Sequence, residues 1–138
     1  MRRDCSTEPG ILIGGKFLKI YVASSWKNQH YPEVVERLSR CYEVYDFRNP
    51  TSGDNGLSWS GISPDWVDWH TREFTQALHH PSADHSFDLD MDALNAADVL
   101  VLVLPSGRSA HVEAGYHAGN GKPVVVFIPE ERSEPELM

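Results

Sequence analysis

At 138 residues, with 41% hydrophobic and 23% charged side chains, the chain is sized for one globular domain with a single core. A formal net charge of −8, with no basic cluster longer than Arg2-Arg3, argues against a nucleic-acid or anionic-membrane surface, while leaving room for a local pocket that takes a small anion. No apolar run approaches the ~20 residues of a membrane span, and no signal-peptide stretch follows the initial arginines. Cys5 and Cys41 fit no metal or redox spacing and give no disulfide framework, so a cytoplasmic location is expected.

In chain order, residues 1–15 (MRRDCSTEPGILIGG) read as a flexible leader punctuated by Pro9-Gly10 and Gly14-Gly15, with one domain over 16–138. Residues 16–24 (KFLKIYVAS) read as a buried strand. A helix is expected from Pro32 to about Arg40, with Val34, Val35 and Leu38 on one face and Pro32 in its first turn. A second strand covers 42–47. Residues 49–70 form a polar, Gly/Ser-rich insertion holding Trp59, Trp66 and Trp69. It reads either as a flap packed on neighbouring helices or as a lid over a ligand. Helices at 71–79 and 82–97 follow, then a strand at 99–104, a helix at 109–120 stopped by Gly121, and a strand at 123–128.

Apolar strands alternating with helices predict an α/β fold with a parallel sheet covered on both faces and strand order 2-1-3-4. In that order the first and third strands are neighbours from which the chain leaves in opposite directions. Open α/β sheets bind ligands off the carboxyl ends of the strands at such a switch point. Two stretches meet there, YVASSW (21–26) and PSGRSAHVE (105–113).

Glu113 stands where the third strand's end meets the next helix. With Ser109 as N-cap it falls near the positive helix end, which favours its ionised form. An acid near a helix start is also what the dipole alone selects. Ala110, Ala114 and Ala118 form the expected packing face, which leaves Glu113 off it. In the preceding helix Asp84, Asp88 and Asp92 recur every four residues as a solvated face. Asp90 instead points inward with Phe87, Met91 and Leu94. An inward acid on an apolar stripe needs either a bonded partner or a chemical task. Paired carboxylates are what glycosyl chemistry uses, one at the anomeric carbon and one managing protons or hydroxyls.

KIYVASSW, then an Asp eight residues before the closing Asp of DMDALNAAD, then HVEAGYHAGNGKPVVV, together resemble the nucleoside 2-deoxyribosyltransferase-like superfamily, which includes deoxynucleoside 5′-monophosphate N-glycosidases. The resemblance implies a flavodoxin/Rossmann-like three-layer sandwich. It implies catalytic roles for Glu113 as nucleophile at the sugar C1′, Asp90 at the sugar or base, and Tyr21 beside the nucleophile. Trp26 then stacks on the base, with Ser24 and Ser25 in the same loop, and Asp46, Arg48 and Asn49 present polar groups to the base edge. The loop before the catalytic helix carries Ser106, Gly107, Arg108, Ser109 and His111 and no acid, which suits a 5′-phosphate better than a 5′-hydroxyl.

The expected activity is hydrolysis of the N-glycosidic bond of a (deoxy)nucleoside 5′-monophosphate. The alternatives are a transferase moving the sugar between bases, a TIR-like NAD glycohydrolase, and a non-catalytic binder of a nucleotide signal. No cofactor or metal is implied, since the seven histidines show no ligand spacing and His79-His80 ends a helix as a solvated pair. The partner is a small nucleotide or nucleoside, not nucleic acid or membrane. By resemblance the chain is a homodimer or higher homo-oligomer, with Glu136 reaching a neighbour's site.

Overall fold

Alternation in one central strand decides how the molecule is layered. The computed structural model describes residues 12–129. The chain opens with a hairpin of β1 (Leu12–Ile13) and β2 (Lys16–Phe17), and then enters the central strand β3 (Lys19–Ala23). Ile20 and Val22 pack on one face with Tyr31, Val101 and Val103. Tyr21 and Ala23 pack on the other with Leu94, Leu100, Leu102, Ala110 and Ala114. The period of two in a fully covered strand thus divides the core into two halves.

The helix α1 (Tyr31–Ser39) covers the first half with Val34, Val35 and Leu38, the expected face. After β4 (Glu43–Tyr45) the insertion contains a short helix α2 (Trp59–Ile62) and a single 3-10 turn (Trp66–Asp68), followed by α3 (Thr71–Ala77). The second half of the core lies under α4 (Pro81–Ala96) and α5 (Arg108–Gly119), which flank β5 (Val99–Val103). The last strand is β6 (Val124–Phe127).

β4, β3, β5 and β6 form one parallel sheet in that order, which is 2-1-3-4 counted within the sheet. The expected α/β sandwich is therefore the observed one. Among the described residues no helix is long and apolar enough to cross a membrane.

Several local expectations are corrected. Lys16 and Phe17 do not begin the central strand; they pair antiparallel with Leu12 and Ile13 across Gly14 and Gly15, both at positive φ. Two consecutive left-handed residues are what a tight hairpin turn demands. Ser109 is not the cap of α5. The N-cap is Gly107, so Glu113 lies in the second turn of the helix, beyond the strongest part of the dipole. His117, not Ala118, completes the buried face with Ala110 and Ala114. Phe87 is 64% exposed rather than inward. His80 is not merely solvated: its Nδ1 accepts from the Ser82 N–H and caps α4, with Pro81 as the first helical residue.

Cys41 is disulfide-bonded, against the expectation of no disulfide, and the cytoplasmic reading loses the support it drew from that absence. Cys5, Glu136 and most of the expected leader lie outside the described residues.

Candidate active site

The three expected catalytic side chains converge on the α4/α5 face of the sheet. Tyr21 leaves β3 toward that face because Ile20 and Val22 take the other. Asp90 comes from the middle of α4 and Glu113 from α5, where each is half-buried. The solvated face of α4 is as expected, with Asp84, Asp88 and Asp92 all exposed.

A fourth member, Tyr45, was missing from the sequence reading. It is the register partner of Tyr21 on the neighbouring strand β4. Side chains of paired residues share a face, and the two rings stack with centroids 5.3 Å apart and planes 21° apart. The Tyr45 hydroxyl donates to Asp90 Oδ1 at 2.8 Å. Asp90 is therefore bonded to a phenol rather than to a backbone group. The strand pattern in 42–47 showed that Tyr45 lies on one face of a strand, but only the register reveals which acid it meets.

The electrostatics follow from burial without a cation. Burial pushes Glu113 up to about 7, and the nearby charge of Asp90 adds to the shift; the Tyr21 hydroxyl opposes it. The dipole was expected to keep Glu113 readily ionised. Desolvation wins instead, because the carboxylate sits in the second turn and faces another acid. Asp90 is raised by burial and held down by the Tyr45 hydrogen bond. Both phenols are pushed far above their ordinary range, chiefly by burial. The Tyr21 hydroxyl is wholly buried and turns toward Glu113, yet it has no aligned hydrogen-bond partner.

The loop after β3 is tied to the loop after β5. Ser24 Oγ donates to the Val103 carbonyl at 2.8 Å. Asn28, which is buried, donates to Ser24 Oγ, the Val103 carbonyl and the Pro105 carbonyl, and accepts from the His30 N–H. Asn28 escaped the sequence reading, since its partners lie about 75 residues away. The Lys27 N–H donates to Ser25 Oγ.

Arg48 turns its guanidinium to the backbone of the preceding loop. Its Nη2 donates to the carbonyls of Ser25, Trp26 and Asn28, and its Cζ lies 4.6 Å above the Tyr31 ring and 5.6 Å from the Trp26 ring centre. Asp46 accepts from the Tyr31 hydroxyl, the Arg48 N–H and Asn49 Nδ2. These three residues brace the loop. Trp26 is half exposed, edge-on to Phe47 at 5.5 Å. Gly56 of the insertion presses against it, at positive φ and where any side chain would strike the Phe47 carbonyl.

Within the insertion the rings pack on one another and on α3. Trp59 meets Trp69 and the α3 residue Phe74, at 6.0 and 5.9 Å between ring centres. Asp54 accepts from the Gly56 N–H and lies 3.5 Å from His85 of α4. In the loop before α5, His111 Nδ1 contacts Ser106 Oγ and the Gly107 carbonyl, while Arg108 and Ser109 are exposed. No side chain caps α5, so none answers its first N–H groups, which lie beside Arg108. Among the described residues no group of three or more His, Cys, Asp or Glu side chains is placed to hold a metal ion.

The family model described as "Nucleoside 2-deoxyribosyltransferase like" matches residues 18–131, which takes in all four sheet strands and every residue placed above. No curated protein and no solved structure matches the chain.

Proposed function

Because the chain belongs to the nucleoside 2-deoxyribosyltransferase-like family, a family of glycosyl-transfer enzymes, we propose that it hydrolyses the N-glycosidic bond of a (deoxy)nucleoside 5′-monophosphate. The observation that carries this reading is the facing pair of half-buried acids, Asp90 and Glu113, with a phenol at each and, among the described residues, no cation between them.

Such a pair divides labour. The ionised Glu113 attacks C1′, and the base departs with the bonding electrons and takes up a proton. Water then attacks C1′, restoring the carboxylate and releasing the sugar 5-phosphate. Asp90, when charged, stabilises the cationic character at C1′ and holds a substrate donor. Tyr21 turns its spare hydroxyl hydrogen toward the nucleophile. Trp26 offers its exposed half to the base. The uncapped start of α5, with Arg108 and Ser109 exposed beside it, suits a dianionic phosphate on a chain whose net charge repels one elsewhere. The protein acts as a homodimer or higher homo-oligomer in this reading.

The family's description favours a second reading, transfer of the sugar to another base. Mass spectrometry of products after mixing the protein with nucleotides, nucleosides, NAD and a spare base separates the cases. Free base and sugar phosphate from a monophosphate support hydrolysis, and a new nucleoside supports transfer. Nicotinamide release from NAD, or binding without any product, overturns both.

A further inference from the structure

Tyr21 and Tyr45 are register partners on adjacent parallel strands, so the stacked rings deliver two hydroxyls side by side to one face of the sheet. The hydroxyls are not equivalent. Tyr21 meets Glu113 and has no aligned partner, whereas Tyr45 is spent on Asp90 Oδ1 at 2.8 Å. Among the described residues no other hydrogen bond or ion pair holds Asp90, which leaves Oδ2 without a protein partner.

We propose that Tyr45 is the positioning residue of the acid pair: its hydroxyl fixes Asp90 so that Oδ2 alone is offered to a hydroxyl or N–H donor of the substrate. This rests on the glycosidic reading of the site. A carboxylate on a helix otherwise swings about two torsions, and an unbridled Asp90 could turn either oxygen to the substrate or to solvent. A charge-assisted bond from a ring locked by stacking removes that freedom. The groups facing Asp90 are Tyr45 from β4, Tyr21 from β3 and Glu113 from α5. Asp54 of the insertion stands near Tyr45 and contacts His85, which lies on α4 with Asp90. None of the facing groups is a cation, so the phenol is the one group that favours a charged Asp90.

Two readouts test this, one of them independent of catalysis. In Tyr45→Phe, which keeps the stacked ring, the titration midpoint of the Asp90 carboxyl carbon followed by NMR should move upward by about one pH unit, the equivalent of losing one charge-assisted bond. In the wild-type protein the Tyr45 ring carbon bearing the hydroxyl should show a step at the Asp90 midpoint, a measurement that needs no variant. Tyr45→Phe should lower kcat/KM about tenfold in the wild-type background and add nothing in Asp90→Asn, since the two act as one unit. An unmoved Asp90 midpoint, or losses that multiply in the double variant, overturns the proposal even if stability falls. Full activity in both Glu113→Gln and Asp90→Asn would instead remove the glycosidic reading, while the NMR midpoint would still report on Tyr45 and Asp90.

Discussion

Two tyrosine–aspartate contacts lie at the edge of the same sheet and do different things. Tyr31 donates to Asp46 and Tyr45 donates to Asp90, both at 2.8 Å. Around Asp46 the polar groups are answered: Arg48 lies over the Tyr31 ring, its amide and Asn49 also bond the carboxylate, and its guanidinium holds three carbonyls of the preceding loop. Around Asp90 there is a second acid, a second phenol without an aligned partner and, among the described residues, no cation. The same residue types thus make a brace where a guanidinium completes them and the proposed reactive site where none does. The difference teaches that a buried carboxylate is read by the charges around it, not by its own hydrogen bond.

The largest effect falls on the reactive side. Glu113→Gln should lower kcat by at least ~10³-fold, since both the nucleophile and its charge are removed; steady-state base release checks it, and near-wild-type turnover would end the comparison. The same substitution should stabilise the protein at high pH. Glu113 is raised from 4.5 to about 7 in the folded state, so the folded protein holds this proton more tightly than the unfolded chain. Stability from this group is therefore present below pH 4.5 and is lost as pH rises through about 7. Thermal denaturation of Glu113→Gln should show a gain on the order of 2 kcal/mol at pH 8 and none at pH 4. In the wild type, kcat/KM should rise with pH through about 7 as the nucleophile ionises.

Asp90→Asn should cost about 10²-fold in kcat while preserving ligand binding, measured by calorimetry beside kinetics. If full specific activity survives with a lower Tm, Asp90 belongs with Asp46 as a brace. Arg108→Ala should cost roughly tenfold to hundredfold in kcat/KM on a monophosphate and little on the matching nucleoside. Equal losses on both would move the phosphate elsewhere.

The smallest change in turnover is expected on the brace. Arg48→Met should lower stability by about 2–3 kcal/mol through the lost carbonyl bonds and ring contacts, with kcat at saturating substrate changing by less than ~3-fold. A collapse of kcat in the folded variant would mean that Arg48 touches substrate after all.

Much of the fold was legible because it is written in local patterns. Runs such as VLVLVL (99–104) with turn residues on either side define buried parallel strands, and the alternation of strand and helix leaves few topologies. The hairpin was misread because Gly14-Gly15 resembles leader punctuation as much as a turn, and Leu18 continues the apolar run into β3. Asp90 and Glu113 were legible from helical periodicity and from the motif around them. Tyr45, Asn28 and His117 were not. Tyr45 needs the register of β4 against β3, and Asn28 needs Val103 and Pro105 brought to it by the third strand. His117 looks like any helix histidine until burial lowers its pKa and leaves its Nε2 without a partner. The bonds from Arg48 to three backbone carbonyls were not legible either, since only coordinates bring that loop to it.

The central claim is that Glu113 forms a bond to C1′. Intact-protein and peptide mass spectrometry after incubation with a slow 2-fluoro-substituted nucleotide tests it directly, because fluorine beside C1′ destabilises the cationic transition state of the second step and lets an ester accumulate. The account predicts one added sugar-phosphate mass on the peptide that contains Glu113, stoichiometric release of base, and no adduct on Glu113→Gln. Base release at undiminished rate by Glu113→Gln, or an adduct on any other residue, would contradict it.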